Sequence, residues 1–188
     1  MSLAALPLSA VPSSAGFETE PSAGAIESAA FRNAMRHLAG AVSVITVGRG
    51  DERTGFTATS VSSLSADASS IIVSLNRSSS SWSVVQRCRS FCVNILADDQ
   101  RPIADNFAGK GGVKGVDRYD GAIWRELATG TPALADGLAV LDCELEDAII
   151  RHSHAILIGR VRAVSLRGEA KPLLYWHGAY RQLSDQTG

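Results

Sequence analysis

Between Gly55 and Trp82 the chain runs GFTATSVSSLSADASSIIVSLNRSSSSW, nearly half of it serine and threonine around the strand formers Ile71, Ile72, Val73 and Leu75. A flexible serine linker carries no such apolar centre, and a buried strand rarely carries so many hydroxyls. The residue types suit anion and nucleotide binding instead. Thr57, Thr59, Ser60 and Ser63 offer hydroxyls and backbone groups near a chain bend. Asn76 and Arg77 then lead into Ser78, Ser79, Ser80 and Ser81, directly ahead of a predicted helix. A helix start with hydroxyl donors and one guanidinium is a cradle for phosphate. The same serines would equally serve as helix caps, and that alternative stands beside the first. No glycine-rich dinucleotide fingerprint or P-loop is present, so a nucleotide must be held by other means.

The elements that would position these groups follow from periodicity. Residues 28–40 have Phe31, Met35 and Leu38 at helical spacing, with Gly40 as the stop signal. Strands are expected at 41–47, 55–63, 71–76, 91–96 (Phe91, Val93 and Ile95 on one face), 138–150 and 154–166, with a closing segment at 171–183. In the strand around Cys143, Leu141, Cys143 and Leu145 point inward and Asp142, Glu144 and Glu146 outward to solvent. A short helix follows Ser81. Another spans 98–109, with Pro102 early and Gly109 beyond its end. Residues 110–130 are glycine-rich and polar, a loop over a surface feature. Many strands with only short helices between them predict a mostly β, antiparallel barrel rather than a doubly wound sheet.

The 188 residues fit one domain with its own core, and a 45% hydrophobic and 20% charged composition is that of a globular protein. Residues 1–27, without Lys or Arg in their first 25, are expected to form a flexible tail, and 28–188 the domain. A net charge of −1 gives no reason to expect a nucleic-acid partner, and no apolar run is long enough to predict a membrane span. Cys88, Cys92 and Cys143 form no CxxC pair, which suits reduced thiols and a cytoplasmic location. Cys143 is expected to act as a small buried hydrophobe, and Trp82 and Trp124 as core or interface residues. His154, taken alone, is a partly exposed strand-end histidine. His152 shares its face at a spacing of two, but no third ligand is evident and no metal site is expected.

The segments FRNAMRHLAGAVSVITV, GFTATSVSSLS, IIVSLNRSSSSW, FCVNIL, IADNFAG, RYD, TPAL, LDCELEDAIIRHSHAILIGRV and PLLYWHGAYRQL occur in order from residue 31 to 183. Together they resemble the flavin reductase family, the NAD(P)H:flavin oxidoreductases that serve two-component monooxygenases. The resemblance implies a split β-barrel of the FMN-binding type, a homodimer, and a flavin near the subunit interface. It implies that Thr57, Ala58, Thr59 and Ser60 face the isoalloxazine, with Ser63 and Ser65 close by. Asn76, Arg77 and Ser78 to Ser81 would hold the ribityl and phosphate end. Asn94, Phe107 and Arg118 match further family positions around the cofactor. His154 would be the catalytic histidine beside the nicotinamide, with His177 and Tyr180 near it. Two departures stand out: ADASS replaces the family's tandem prolines after SLS, and HSH replaces its GDH, so Ser153 stands for the aspartate. The implied activity is reduction of FMN or FAD by NADH or NADPH, with delivery to an oxygenase component. A flavin-retaining reductase of a corrin or ferric acceptor, or a flavin-binding module, is the alternative.

Overall fold

The structure, a computed structural model, describes residues 26–184, so nearly all of the expected tail and the last four residues lie outside the described residues. The elements in chain order are α1 (Ser28–Met35), β1 (Gly40–Ala41), β2 (Ser43–Val47), β3 (Thr54–Ala58), β4 (Val61–Ser65), β5 (Ser70–Asn76), α2 (Ser80–Cys88), β6 (Ser90–Ile95), α3 (Arg101–Phe107), β7 (Trp124–Glu126), β8 (Pro132–Leu134), β9 (Ala139–Arg151), β10 (His154–Leu166), β11 (Leu174–Trp176) and β12 (Ala179–Arg181). The expected helices and strands are present, except that the single strand expected at 55–63 is two, β3 and β4, broken at Thr59 and Ser60. The closing segment is a β11–β12 hairpin, and the 110–130 loop contains short 3-10 turns and β7.

Seven strands form one antiparallel sheet in the order β3-β2-β6-β9-β10-β5-β4. Its two edges, β3 and β4, are consecutive in sequence, joined by Thr59 and Ser60 alone. In a flat sheet six inter-strand steps of about 4.8 Å would hold those edges about 29 Å apart. The three Cα–Cα steps from Ala58 to Val61 reach about 11 Å at most. The sheet therefore rolls up, and because no ladder joins β3 to β4 among the described residues, the barrel is split along that seam. The fold is the mostly β split barrel expected.

Ile45, Val73, Leu75, Phe91, Val93, Leu145 and Leu157 fill the barrel, and Val84 and Val85 of α2 pack into the same core. A second core lies outside it, where Phe107, Tyr119 and Leu134 pack against Val42, Val44 and Leu96. This outer layer alters two expectations. The β6 strand is buried on both faces, so Cys92 and Asn94 are as enclosed as Phe91 and Val93. Asp142 is not solvated: it is fully buried and accepts hydrogen bonds from the Thr129 N–H at 2.6 Å and the Thr129 hydroxyl at 2.5 Å. The loop carrying Thr129 covers that face, and two hydrogen bonds satisfy the carboxylate it encloses. Glu144 and Glu146 are exposed as expected. Burial pushes the Cys143 thiol up to about 12, consistent with an inert core residue.

Phe91 sits where β10 shifts register, at Ile158/Gly159. A Cβ on Gly159 would lie 2.4 Å from the Phe91 ring. Gly159→Ala is therefore expected to destabilise the fold by about 1–3 kcal/mol through overpacking, read as a lower urea midpoint with an unchanged m-value.

Candidate functional site

The seam that the rolling produces is where the candidate residues gather. Thr57 and Ala58 end β3, and Thr59 and Ser60 form the exposed crossing. The Ser60 hydroxyl locks the crossing to β5: it donates to the Ser74 carbonyl and accepts from the Ser74 N–H, both at 3.3 Å. The Thr57 hydroxyl donates to the Ala104 carbonyl at 2.6 Å, tying β3 to α3. Two residues beyond Ser74, Asn76 ends β5 opposite His154 at the start of β10. The crossing, the β5–α2 turn and the β9–β10 turn are thus neighbours along one strand end.

The β5–α2 turn is internally braced. Asn76 Oδ1 accepts from the Ser78 N–H at 3.0 Å and the Ser78 hydroxyl at 2.9 Å. The Ser79 N–H donates to the Asn76 carbonyl, and the Ser79 hydroxyl caps α2 by accepting the Ser81 N–H at 3.2 Å. Both readings of the serines therefore have a place: Ser79 is a helix cap, while Ser78 and Ser80 are exposed. Arg77 is fixed by its N–H to the Ser153 carbonyl at 2.9 Å, and its exposed guanidinium makes one long contact, 3.4 Å, to the His152 carbonyl. Beneath them the Ser81 hydroxyl is fully buried and has no hydrogen-bond partner.

His154 is exposed, and its Nδ1 lies 2.9 Å from the Ser153 hydroxyl. The serine at the departed aspartate position thus supplies the contact that orients the ring. His152 is not on the strand with it. It lies in the β9–β10 turn with φ +48°, so the expected shared face does not form. Among the described residues, no group of three or more His, Cys, Asp or Glu side chains could hold a metal ion.

On the β3 side of the seam two connected grooves open. The larger, about 880 Å³, runs between α1, the crossing and the β11–β12 hairpin, with Phe31, Met35, Thr59, Trp176 and His177 in its walls. The smaller, about 400 Å³, shares Thr59, Tyr175 and Gly178 with it and adds Thr57, Arg101, Lys110 and Tyr180. His177 occupies a left-handed turn, φ +51°, hydrogen-bonded through its backbone to the Arg36 carbonyl and through Nε2 to His37 Nδ1 at 3.2 Å.

Four expected positions stand apart. Asn94 is fully buried: its amide donates to the Val44 carbonyl at 3.0 Å, and its Oδ1 accepts the Leu134 N–H at 2.7 Å. It ties β2, β6 and β8 together and is closed to a ligand. Phe107 is 1% exposed and packs edge-on to Tyr119 behind Gly55. Arg118 clamps the Gly55 and Phe107 carbonyls. These two brace β3 from behind. Ser65 lies five residues past Ser60 on an extended strand, about 16 Å away, where its hydroxyl caps the turn by accepting the Ala68 N–H. Ser63, exposed opposite Ile71, lies between. Conversely, Arg101, Lys110, Tyr175 and the apolar face of α1 line the grooves without having been singled out, since only the folded chain brings them to the seam.

The "Flavin reductase like domain" family profile matches residues 35–184. An FMN reductase (NADH) RutF 1 of Methylorubrum extorquens is 38% identical over 166 residues, covering 88% of this chain and 82% of that protein. The Klebsiella pneumoniae FMN reductase (NADH) RutF is 34% identical over 157 residues, covering 84% and 94%. Among solved structures, the flavin reductase PheA2 superposes with a TM-score of 0.76 at 32% identity, covering 85% of this chain and all of its own. BorF, the flavin reductase component of a bacterial two-component tryptophan halogenase, does so with 0.77 at 30%, with the same coverage. A rolled sheet split beside a hydroxyl-rich crossing, a profile match over most of the chain and relatives of this identity agree, and the chain belongs to the flavin reductase family.

Proposed function

We propose that this chain is an NADH:FMN oxidoreductase that works as a homodimer and releases reduced flavin to a separate oxygenase component. The observation that carries the reading is the neighbourhood, at one strand end, of the Thr57–Ser60 crossing, the Asn76–Ser81 turn and His154. The relatives named FMN reductase (NADH) and the two-component flavin reductase BorF support the same chemistry.

The residues present fit a flavin nucleotide. The orphaned Ser81 hydroxyl and the nearly free Arg77 guanidinium offer donors to a phosphate at the start of α2. Along β5, Ser74, locked to Ser60, lies about 7 Å from Asn76, a span suited to a ribityl chain between ring and phosphate. Thr57, Ala58, Thr59 and Ser60 would line the ring, and Asn76 and Ser78 to Ser80 the chain beyond it. When bound, the flavin accepts a hydride from the dihydronicotinamide, and the two cofactors supply that chemistry themselves. The protein's task is then alignment and a polar, pre-organised wall. With its Nδ1 held by Ser153, His154 has Nε2 left to meet the donor. His177 and Tyr180 would stand on the donor's side, in the grooves.

The homodimer is supported by α1, none of whose residues is buried. Phe31 and Met35 on it, and Leu38 just beyond it, are 59%, 46% and 68% exposed, beside exposed Tyr175 and Trp176. An uncovered apolar face of this kind suits a partner surface.

The purified chain is expected to oxidise NADH with added FMN and to lose its flavin on gel filtration. No NADH oxidation with FMN or FAD would overturn the reading, and tight retention would favour a flavin-holding module. Arg77→Ala should weaken flavin binding by about 1.5–3 kcal/mol, roughly 10- to 150-fold, with little change in melting temperature. His154→Ala should raise the NADH KM while flavin affinity stays near wild type. Ser65→Ala, at the far end of β4, should change neither.

A further inference from the structure

Hydride transfer brings two nucleotides together, and each carries phosphate. The Asn76–Ser81 turn, on the β5 side of the seam, can serve one of them. The small groove on the β3 side has its own cationic corner. Arg101 and Lys110 both stand over the Tyr180 ring, at 5.4 and 5.3 Å from its centroid. One carboxylate, Asp105, ties them in place, with Lys110 Nζ at 2.6 Å and Arg101 Nε at 3.8 Å. Both cations remain more than half exposed, and with Asp105 the corner keeps one net positive charge. Tyr180 stays a phenol: burial, together with its hydrogen bond to Asp105, pushes it up to about 12, so it adds no negative charge at neutral pH. Thr57 and Thr59 of the crossing form another wall of this groove, and through Thr59, Tyr175 and Gly178 it continues into the larger one.

Resting on the flavin reductase reading, the geometry points to Arg101 and Lys110 as the residues that bind the pyrophosphate of the nicotinamide dinucleotide, and so select a dinucleotide donor. A diffuse, doubly charged pyrophosphate suits a guanidinium and an ammonium held a few ångströms apart. The alternative source of the same chemistry, the second phosphate of FAD, is disfavoured by direction. In FAD the adenylate continues from the phosphate end, on the Asn76 side, whereas Arg101 and Lys110 lie across the seam. Both side chains are more than half exposed and belong to neither hydrophobic core, so their removal empties no core position.

The test compares NADH with reduced nicotinamide riboside, which keeps the reacting ring and carries no phosphate, with FMN as acceptor. In Arg101→Ala/Lys110→Ala the NADH KM is expected to rise at least tenfold, while the KM values for the riboside and FMN stay within twofold. Lys110→Arg should retain the wild-type NADH KM. NADH affinity followed by its own fluorescence needs no turnover, so a failure of the flavin reductase reading stays distinguishable from a failure of this assignment. An unchanged NADH affinity, an equal loss for the riboside, or a loss confined to FAD as acceptor would each overturn it.

Discussion

Everything in this molecule depends on the two residues between β3 and β4. Strands at opposite edges of a seven-stranded sheet are tied by Thr59 and Ser60, and a connection that short is possible only if the sheet closes on itself. Closure encloses Phe91, Leu75 and their neighbours in one core, and it leaves one line along the wall without a ladder. Backbone groups and hydroxyls that a continuous sheet would pair internally are available there. The serine and threonine content of this stretch follows from that geometry. Ser60 repairs the gap by bonding to both sides of Ser74, and Thr57 is anchored to α3.

The seam has to be held still from behind. The outer core does this with unusually polar parts. Asn94 clips β2 and β6 to β8, Arg118 joins two carbonyls on β3 and α3, and the Tyr119 hydroxyl donates to the Thr54 carbonyl at 2.7 Å. Each is enclosed or half-enclosed and hydrogen-bonded, the condition under which a buried polar group rigidifies rather than weakens a fold. Gly55 belongs to the same bracing, since a Cβ there would lie 2.4 Å from the Ile45 carbonyl and 2.7 Å from the Phe107 ring. Asn94, Phe107 and Arg118, which the resemblance put around the cofactor, thus brace β3 or the strands beside it.

Strand positions were legible in the sequence because alternation and turn residues are local signals, and a helix beginning at the Ser78–Ser81 run was legible for the same reason, though not which serine caps it. Sidedness was less so. Asp142 alternates like a solvent-facing residue, and only the arrival of the Thr129 loop, thirteen positions away in sequence, encloses it. Phe107 and Arg118 likewise carry no local mark separating a residue that lines a site from one that braces it. Arg101 and Lys110 look like ordinary surface charges until folding brings Tyr180, some seventy positions further on, beneath both. Ser153 is the opposite case. It interrupts the family pattern in the sequence, yet its hydroxyl meets the His154 ring at 2.9 Å.

The central claim is that the β3–β4 crossing and the β5–α2 turn form one flavin site. A crystal structure of the chain with FMN tests it most directly. The account predicts the isoalloxazine against Thr57 to Ser60 and the phosphate within hydrogen-bonding distance of the Arg77 guanidinium and the hydroxyls leading into α2. A flavin found elsewhere, with the Asn76–Ser81 turn free of phosphate, would contradict it.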